Sequence, residues 1–405
     1  MNIIGISRSD NLIVRAGRIF DGQSLLPGQG YLLTIKEGII REILPLSRES
    51  NLDSPDTDKV LDFDAYTILP GLVDCHVHLA LDGKNFRKSL DTWEQEDILA
   101  NRIQTDLNST LNAGIMAVRD GGDQKNIGLK TKNLVSQGVM MGPVIRAVGQ
   151  ALRKKGLYGS FLGSGLMEGS IQGAIEKMIG LGADQIKVLV SGLVSLTNYR
   201  QVGELQFTPK ELREIVFSAH QMGVGVMAHA SSDPAIQMAI EARVDSLEHG
   251  YFISEKSLKA LARAEIPWVP TLTPVANQVL HQESSRYSCV DQEVIERTYR
   301  RQQEWVKKAA EMGIRIGIGT DSGATGVPHG KSFLQELILL EEAGLSREEI
   351  LRAATQEGSA ILGLGREMGR IAPGFKPYLI AVKGNPSENL HHLAKIESMI
   401  FPSGG

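Results

Sequence analysis

Cysteine is scarce in this chain, with two residues in 405, Cys75 and Cys289. That excludes a disulfide framework and a cysteine-rich zinc site, and it predicts a reducing, cytoplasmic compartment. Long apolar runs are missing too: none approaches the ~20 residues that a membrane helix needs. The opening "MNIIGISRSDN" lacks the basic segment and long apolar core of a secretory signal. No basic block stands out, and the formal net charge is −4, so neither nucleic acid nor an anionic membrane is an expected partner. What is present fits a soluble globular protein, 42% apolar and 22% charged, long enough for two or three domains. The expected partners are a small-molecule substrate and, by default, further copies of the same chain in a homo-oligomer.

The first sixty residues differ from the middle. "NLIVRAGRIFDG" and "YLLTIKEGIIREI" read as short strands divided by turns, and "SRESNLDSPDTD" reads as a polar loop. From about residue 66 a rhythm sets in. Short β-branched runs end in "TILPGLVDCHVH", "GIMAVRD", "PVIRAVG", "DQIKVLVSG", "GVGVMAHA", "VDSLEHG", "IPWVPTL" and "IRIGIGTD". Between most of them lie amphipathic helical patterns, such as Pro209–Met222 behind the cap candidate Thr208, and Asp291–Met312. Continuous rather than alternating hydrophobicity suits parallel strands covered on both faces. Eight such strands with helices between them predict an α/β protein, a (β/α)8 TIM barrel rather than an open sheet. Behind the barrel, "KPYLIAVKGNP" reads as another strand and turn. The expected division is residues 1–65 and 369–405 as two parts of one small β-domain, with the barrel at 66–368.

A barrel presents its chemistry at the C-terminal ends of its strands. There stand His76 and His78, Arg119 and Asp120, Lys187, His229, Glu248 and His249, and Asp321. His76 and His78 share one side of their strand because side chains alternate with period two, so one metal could take both Nε2 atoms; alone, a His-x-His pair fits a surface turn as well. His229, His249 and Asp321 add imidazoles and a carboxylate, a donor set suited to zinc or a similar first-row ion. Lys187 interrupts an apolar strand. Either it snorkels from the outer face, or burial depresses its pKa and the neutral amine can take up carbon dioxide as a carbamate able to bridge two metals. Asp321 could move a proton from water to a leaving group, although "GTDSG" also reads as a tight turn. His329 follows the last strand and divides between loop structure and substrate contact. Cys75 faces away from both histidines and reads as a small buried hydrophobe.

At these residues the sequence resembles the amidohydrolase superfamily, in the branch of imidazolonepropionase-like and metal-dependent prolidase-like enzymes. The resemblance is carried by "ILPGLVDCHVHL", "AGIMAVRDGG", "DQIKVLVSG", "FTPKELREIVFSAHQMGVGVMAHA", "VDSLEHG", "VPTL", "IGIGTDSG" and "AATQEGSAILGL", in order across residues 66–375. It implies a (β/α)8 barrel with a small β-sandwich built from both termini. It also implies two divalent ions, zinc foremost, one on His76 and His78 and the other on His229 and His249. A carboxylated Lys187 would bridge them, and Asp321 would act as ligand and as general base, then acid. The implied reaction is attack of a bridging hydroxide on an amide-like carbon.

Three departures narrow the resemblance. The Thr-Gly-Gly-His-Gly stretch usual in prolidase-like members is replaced by "GQALRKKGLYGSFLG". Ser231 stands where those members tend to carry a tyrosine, and "KPY" replaces an Ala-Asp before the last strand. The first two changes fall in the substrate pocket and point away from prolyl dipeptides. Arg153, Tyr158 and Tyr251 are candidate replacements for substrate contacts. Arg153 could pair with a carboxylate or lie in a solvated "RKKG" loop, and Arg119 could contact substrate, shape the floor of the site or pair with a neighbouring carboxylate. The leading expectation is therefore a binuclear hydrolase of an amide, lactam or related C–N bond. The alternatives are a prolidase-like dipeptidase or N-acyl amino acid carboxypeptidase, and a non-catalytic barrel that only binds.

Overall fold

The computed structural model describes residues 2–46, 59–166, 171–280 and 288–402; the predicted polar loop over 47–58 and His281 lie outside them. Fourteen strands occur among the described residues: β1 (Asn2–Ile6), β2 (Leu12–Ile19), β3 (Tyr31–Lys36), β4 (Ile39–Pro45), β5 (Lys59–Pro70), β6 (Leu72–Val77), β7 (Ile115–Asp120), β8 (Val144–Ala147), β9 (Gln185–Leu189), β10 (Gly225–Ala230), β11 (Ser246–His249), β12 (Trp268–Val269), β13 (Leu379–Lys383) and β14 (Ile396–Pro402). They form one seven-stranded sheet in the order β1-β14-β13-β5-β2-β3-β4, and two parallel sheets, β6-β7-β8 and β12-β11-β10-β9.

The parallel sheets alternate with helices, as buried parallel strands require. Helix Pro209–Gln221, between β9 and β10, shows why the sequence folds this way locally. Thr208 accepts from the Glu211 amide while Glu211 accepts from the Thr208 amide. This reciprocal cap contributes about 1 kcal/mol, and Pro209 in the first turn is pre-set for helix. Leu212, Ile215, Val216 and Ala219 form its buried face.

The edges of the two parallel sheets are linked by main-chain bonds. Leu152 receives the Leu189 amide and donates to the Lys187 carbonyl. Residues 315–322 bond to β12 on one side, through Trp268 N to Arg315 O at 2.9 Å. On the other side they bond to β6, through Cys75 N to Ile318 O and Asp321 N to His76 O, each 2.7 Å. Gly319 permits this approach, because a Cβ there would meet the Val269 side chain and the His76 Cβ. The result is a TIM-barrel-like α/β fold. One apolar core fills the parallel-sheet region, and a separate one, including Val14, Leu33, Phe63 and Ile400, lies against the seven-stranded sheet.

Several sequence expectations are corrected. The run "TILPGLVDCHVH" is not one strand: it divides at Gly71, the first half closing β5 in the large sheet and the second forming β6. As expected, "YLLTIKEGIIREI" forms strands and a turn: it folds back at Glu37, which has a φ of 56°, giving β3 and β4. The predicted eighth strand, "IRIGIGTD", forms only isolated bridges, at Ile316 and Ser322. The expected helix at Asp291 begins earlier, at Cys289, capped by Ser288. No helix among the described residues is long and apolar enough to cross a membrane.

Candidate active site

His76, His78, His229 and His249 are buried together at the strand ends. Ring centroids lie 4.5 Å apart for His229 and His249, 4.9 Å for His76 and His249, and 5.4 Å for His76 and His78. Each ring has one nitrogen held by a hydrogen-bond partner. His76 Nδ1 is 2.8 Å from Glu248 Oε2, His78 Nδ1 3.2 Å from the Gly122 carbonyl, His249 Nδ1 2.7 Å from Thr271 Oγ1, and His229 Nε2 3.2 Å from the Gly192 carbonyl. The carboxylate and carbonyl partners assign the proton to the held nitrogen of His76, His78 and His229 and leave the other nitrogen as the acceptor, while the Thr271 hydroxyl can donate to or accept from His249. Burial pushes all four rings away from protonation, to about 3 for His78 and His229 and well below the ordinary value for His76 and His249, with the nearby Lys187 charge acting in the same direction.

Lys187 is 1% exposed and points inward, its Nζ 3.3 Å from His76 Nε2. Burial lowers its pKa to about 8 against the opposing charges of Glu248 and Asp321. Asp321 Oδ1 lies 3.4 Å from His78 Nε2 and 3.7 Å from His76 Nε2. Burial raises this carboxyl to about 6, although Lys187 pulls it down. Ligand-type atoms of His76, His78 and Asp321 all fall within 4.8 Å of one another. The backbone bends sharply here: His249, Thr271 and Asp321 have φ of 67°, 52° and 56°, left-handed conformations that cost such residues about 1–3 kcal/mol each. Thr320, whose amide and hydroxyl both bond to the buried Asp74 carboxylate, anchors the turn that carries Asp321.

Arg119 lies beneath the cluster rather than in it. Its guanidinium donates to the Cys75 carbonyl, Gln185, Ser246 and Glu248, the last at 2.7 Å. Glu248 thus joins Arg119 to His76. This relay was not assigned from sequence, because nothing local in "VDSLEHG" tells which neighbour the glutamate meets. Thr271 was also missed; its only signal is the hydroxyl in the short "VPTL" run.

Arg153 is 4% exposed, and its nitrogens are all occupied by the carbonyls of Leu157, Tyr158 and Gly163. It braces a loop. Tyr158 and Tyr251 do face the cavity above the cluster, with Tyr251 stacked on His249 at 6.1 Å. His329 is buried and bonds to the Leu81 carbonyl, away from the cavity lining. His220 pairs with Asp245 at the surface, His391 and His392 lie in a short helix near the C-terminal strand, and Cys75 is buried in the core. The cavity holds about 600 Å³, the size of a small-molecule site. His76, His78, Lys187, His229, His249 and Asp321 all line it.

Comparison with known proteins places this geometry in a family. The model of the Amidohydrolase family matches residues 67–401. An uncharacterized protein of Mycobacterium tuberculosis is 28% identical over 305 residues, covering 74% of this chain and 76% of its own. The ochratoxinase of Aspergillus niger is 24% identical over 355 residues, covering 80% and 71%. A solved Xaa-Pro dipeptidase structure with bound methionine superposes with a TM-score of 0.83 at 25% identity, covering 97% of this chain and 98% of that one. The chain belongs to the amidohydrolase family, and it is a hydrolase acting on carbon–nitrogen bonds.

Proposed function

We propose that the protein is a binuclear metal-dependent hydrolase of an amide, lactam or related C–N bond in a small molecule. One observation carries this reading: four buried histidines and a buried lysine converge with a half-buried aspartate on the floor of a single cavity. The donor set suits the ions. Four neutral imidazoles, each oriented by a second partner, and a carboxylate are what zinc binds, and without ions so many buried polar groups would be costly. We assign His76 and His78 to one ion, His229 and His249 to the other, and Asp321 as a further ligand. Lys187, its pKa lowered by burial, is suited to lose a proton to solvent and add carbon dioxide through the neutral amine, which releases a second proton as the N–C bond forms; the resulting carbamate anion would offer two oxygens as metal ligands. When bound, the ions would supply Lewis acidity and make water acidic near neutral pH.

The chain's own residues account for the proton. Asp321, held ready by burial with a pKa of about 6, accepts a proton from the attacking water as its oxygen bonds to the acyl carbon. The same carboxyl returns that proton to the nitrogen as the C–N bond breaks. Arg119 and Glu248 hold His76 in orientation. Tyr158 and Tyr251 offer hydroxyl donors to the substrate.

The links between the sheet edges support closure of the strands into a (β/α)8 barrel. The shared sheet of β1, β13 and β14 with β2–β5 supports one small β-domain built from both ends of the chain beside the barrel, and since β5 runs to Pro70 the N-terminal part of that domain extends past residue 65. The test of the function is metal analysis joined to a hydrolysis screen of amides, lactams, carbamates and N-acyl amino acids. Two ions per chain and C–N cleavage are expected. Zinc-replete protein holding no metal would overturn the reading.

A further inference from the structure

We infer that this cavity selects a neutral substrate with a bulky apolar flank, and discriminates against a carboxylate-bearing compound of the same shape. The inference rests on the hydrolase reading above and narrows its substrate class.

Three observations carry it. First, the walls above the metal-type cluster are apolar, with Leu81, Phe86, Leu157, Phe161, Leu193 and Val275 facing the space. Among the described residues lining it, Lys187 on the floor is the one Lys or Arg.

Second, the cations near the cavity are either engaged elsewhere or exposed outside its lining, Lys155 among the latter. Arg153 is spent on three carbonyls, Arg119 is paired with Glu248, and Lys154 is paired with Glu211. Arg87 and Lys88 are exposed to solvent and outside the lining. A carboxylate entering here would shed its water and meet no guanidinium or ammonium on the walls among the described residues, a heavy cost for a charged group. The neutral polar groups available include the two tyrosines, Gln278, Thr325 and Ser231, whose buried hydroxyl has no hydrogen-bond partner. They suit a carbonyl or an ether.

Third, the entrance is apolar as well as the interior. Phe86 is 37% and Leu193 52% exposed at the mouth. Phe86 packs edge-on against Phe161 at 4.9 Å, tying helix Phe86–Asp91 to the loop that Arg153 braces. Across the opening, residues 191–205 fold back on themselves through the Ser191–Leu205 and Val194–Val202 bridges and carry Leu193, Val194 and Leu196 to the cavity. Scattered apolar side chains on a surface mean little, but a set converging on one opening marks an apolar ligand.

The test is a matched pair of anilides on the zinc-loaded enzyme: the butanoyl amide of 4-isobutylaniline, and that of 4-aminophenylacetate. The two flanks are close in shape and differ in charge, and the methylene insulates the reacting nitrogen. Relative kcat/KM and, independently, affinity by calorimetry are read. The isobutyl compound is expected to be favoured at least 100-fold in kcat/KM, about 2.7 kcal/mol, and to bind more tightly. Leu193→Arg, which adds a cation at an exposed site, is expected to narrow the ratio about tenfold. Equal or better use of the carboxylate, or no binding of either compound, overturns the inference. Cleavage that favours the carboxylate leaves the hydrolase reading intact and removes this one. Tighter binding of the isobutyl compound without cleavage keeps this one and counts against hydrolysis of anilides.

Discussion

Replacing Glu248 by glutamine should cost the protein both stability and metal. In the native structure Glu248 is fully buried and Arg119 is 1% exposed. Oε1 receives Arg119 Nη2 at 2.7 Å and the Ser246 hydroxyl at 2.6 Å, while Oε2 faces His76 Nδ1 at 2.8 Å. A glutamine of the same shape keeps one acceptor oxygen. If its NH2 turns toward Arg119, two donors face each other; if it turns toward His76, the ring loses its partner. Either way a buried guanidinium is left without a counter-charge, and breaking such a pair costs about 3–5 kcal/mol. Loss of the group that orients a metal-ligating histidine lowers metal affinity about 10–100-fold. Denaturation followed by tryptophan fluorescence reads the first effect, since Trp268 is buried and donates to the His249 carbonyl at 3.1 Å. Competition with a zinc chelator reads the second. A Glu248→Gln variant with an unchanged midpoint and native zinc affinity would refute the relay.

Asp321→Asn should fold, as judged by circular dichroism, and lose turnover about 10²–10⁴-fold; steady-state kinetics on any substrate the screen finds will check it. Lys187→Ala should fail to hold the second ion in metal analysis. In the native protein, bicarbonate-dependent zinc uptake should increase from pH 6 and level off above the Lys187 pKa of about 8, because the neutral amine is the form that adds carbon dioxide. Glu336 gives a separate stability test. Burial raises its carboxyl from 4.5 to about 7, so the folded state keeps a proton that the unfolded chain has released. Stability from this group is therefore present at low pH and lost as pH rises from about 4.5 to 7, by about 3 kcal/mol. Glu336→Gln should accordingly gain thermal stability relative to the native protein at pH 8 compared with pH 5.

The residues with local signals are the ones legible in the sequence. Two histidines one residue apart at the end of an apolar run must face the same way, and a lysine inside "QIKVLVSG" demands an explanation wherever it lies. The cap at Thr208 is written in four consecutive residues. What the sequence hides is nonlocal. Arg153 sits in "RKKG", which reads as a solvated loop, yet the fold buries it on three carbonyls. Glu248 depends on Arg119 approaching from β7, 129 residues away. The break at Gly71 is invisible because both halves of the run are apolar and only their partners differ. β1 and β14 escape notice as individual strands because each is short, although the two ends of the chain are expected to share one β-domain.

The pairing of β1 with β14 bears on how the molecule is made. β1 lies parallel to β14, with Asn2 opposite Ser398 and Ile6 opposite Pro402, and it has no other neighbour in its sheet. During synthesis at ~5–20 residues per second, the opening strand leaves the ribosome roughly 20–80 s before its partner exists. The edge of the large sheet can therefore be finished only after every segment carrying the site has been translated. A chain interrupted before Ile396 would leave β1 unmated and one side of β13 bare, an unpaired strand edge of the kind that quality-control chaperones engage.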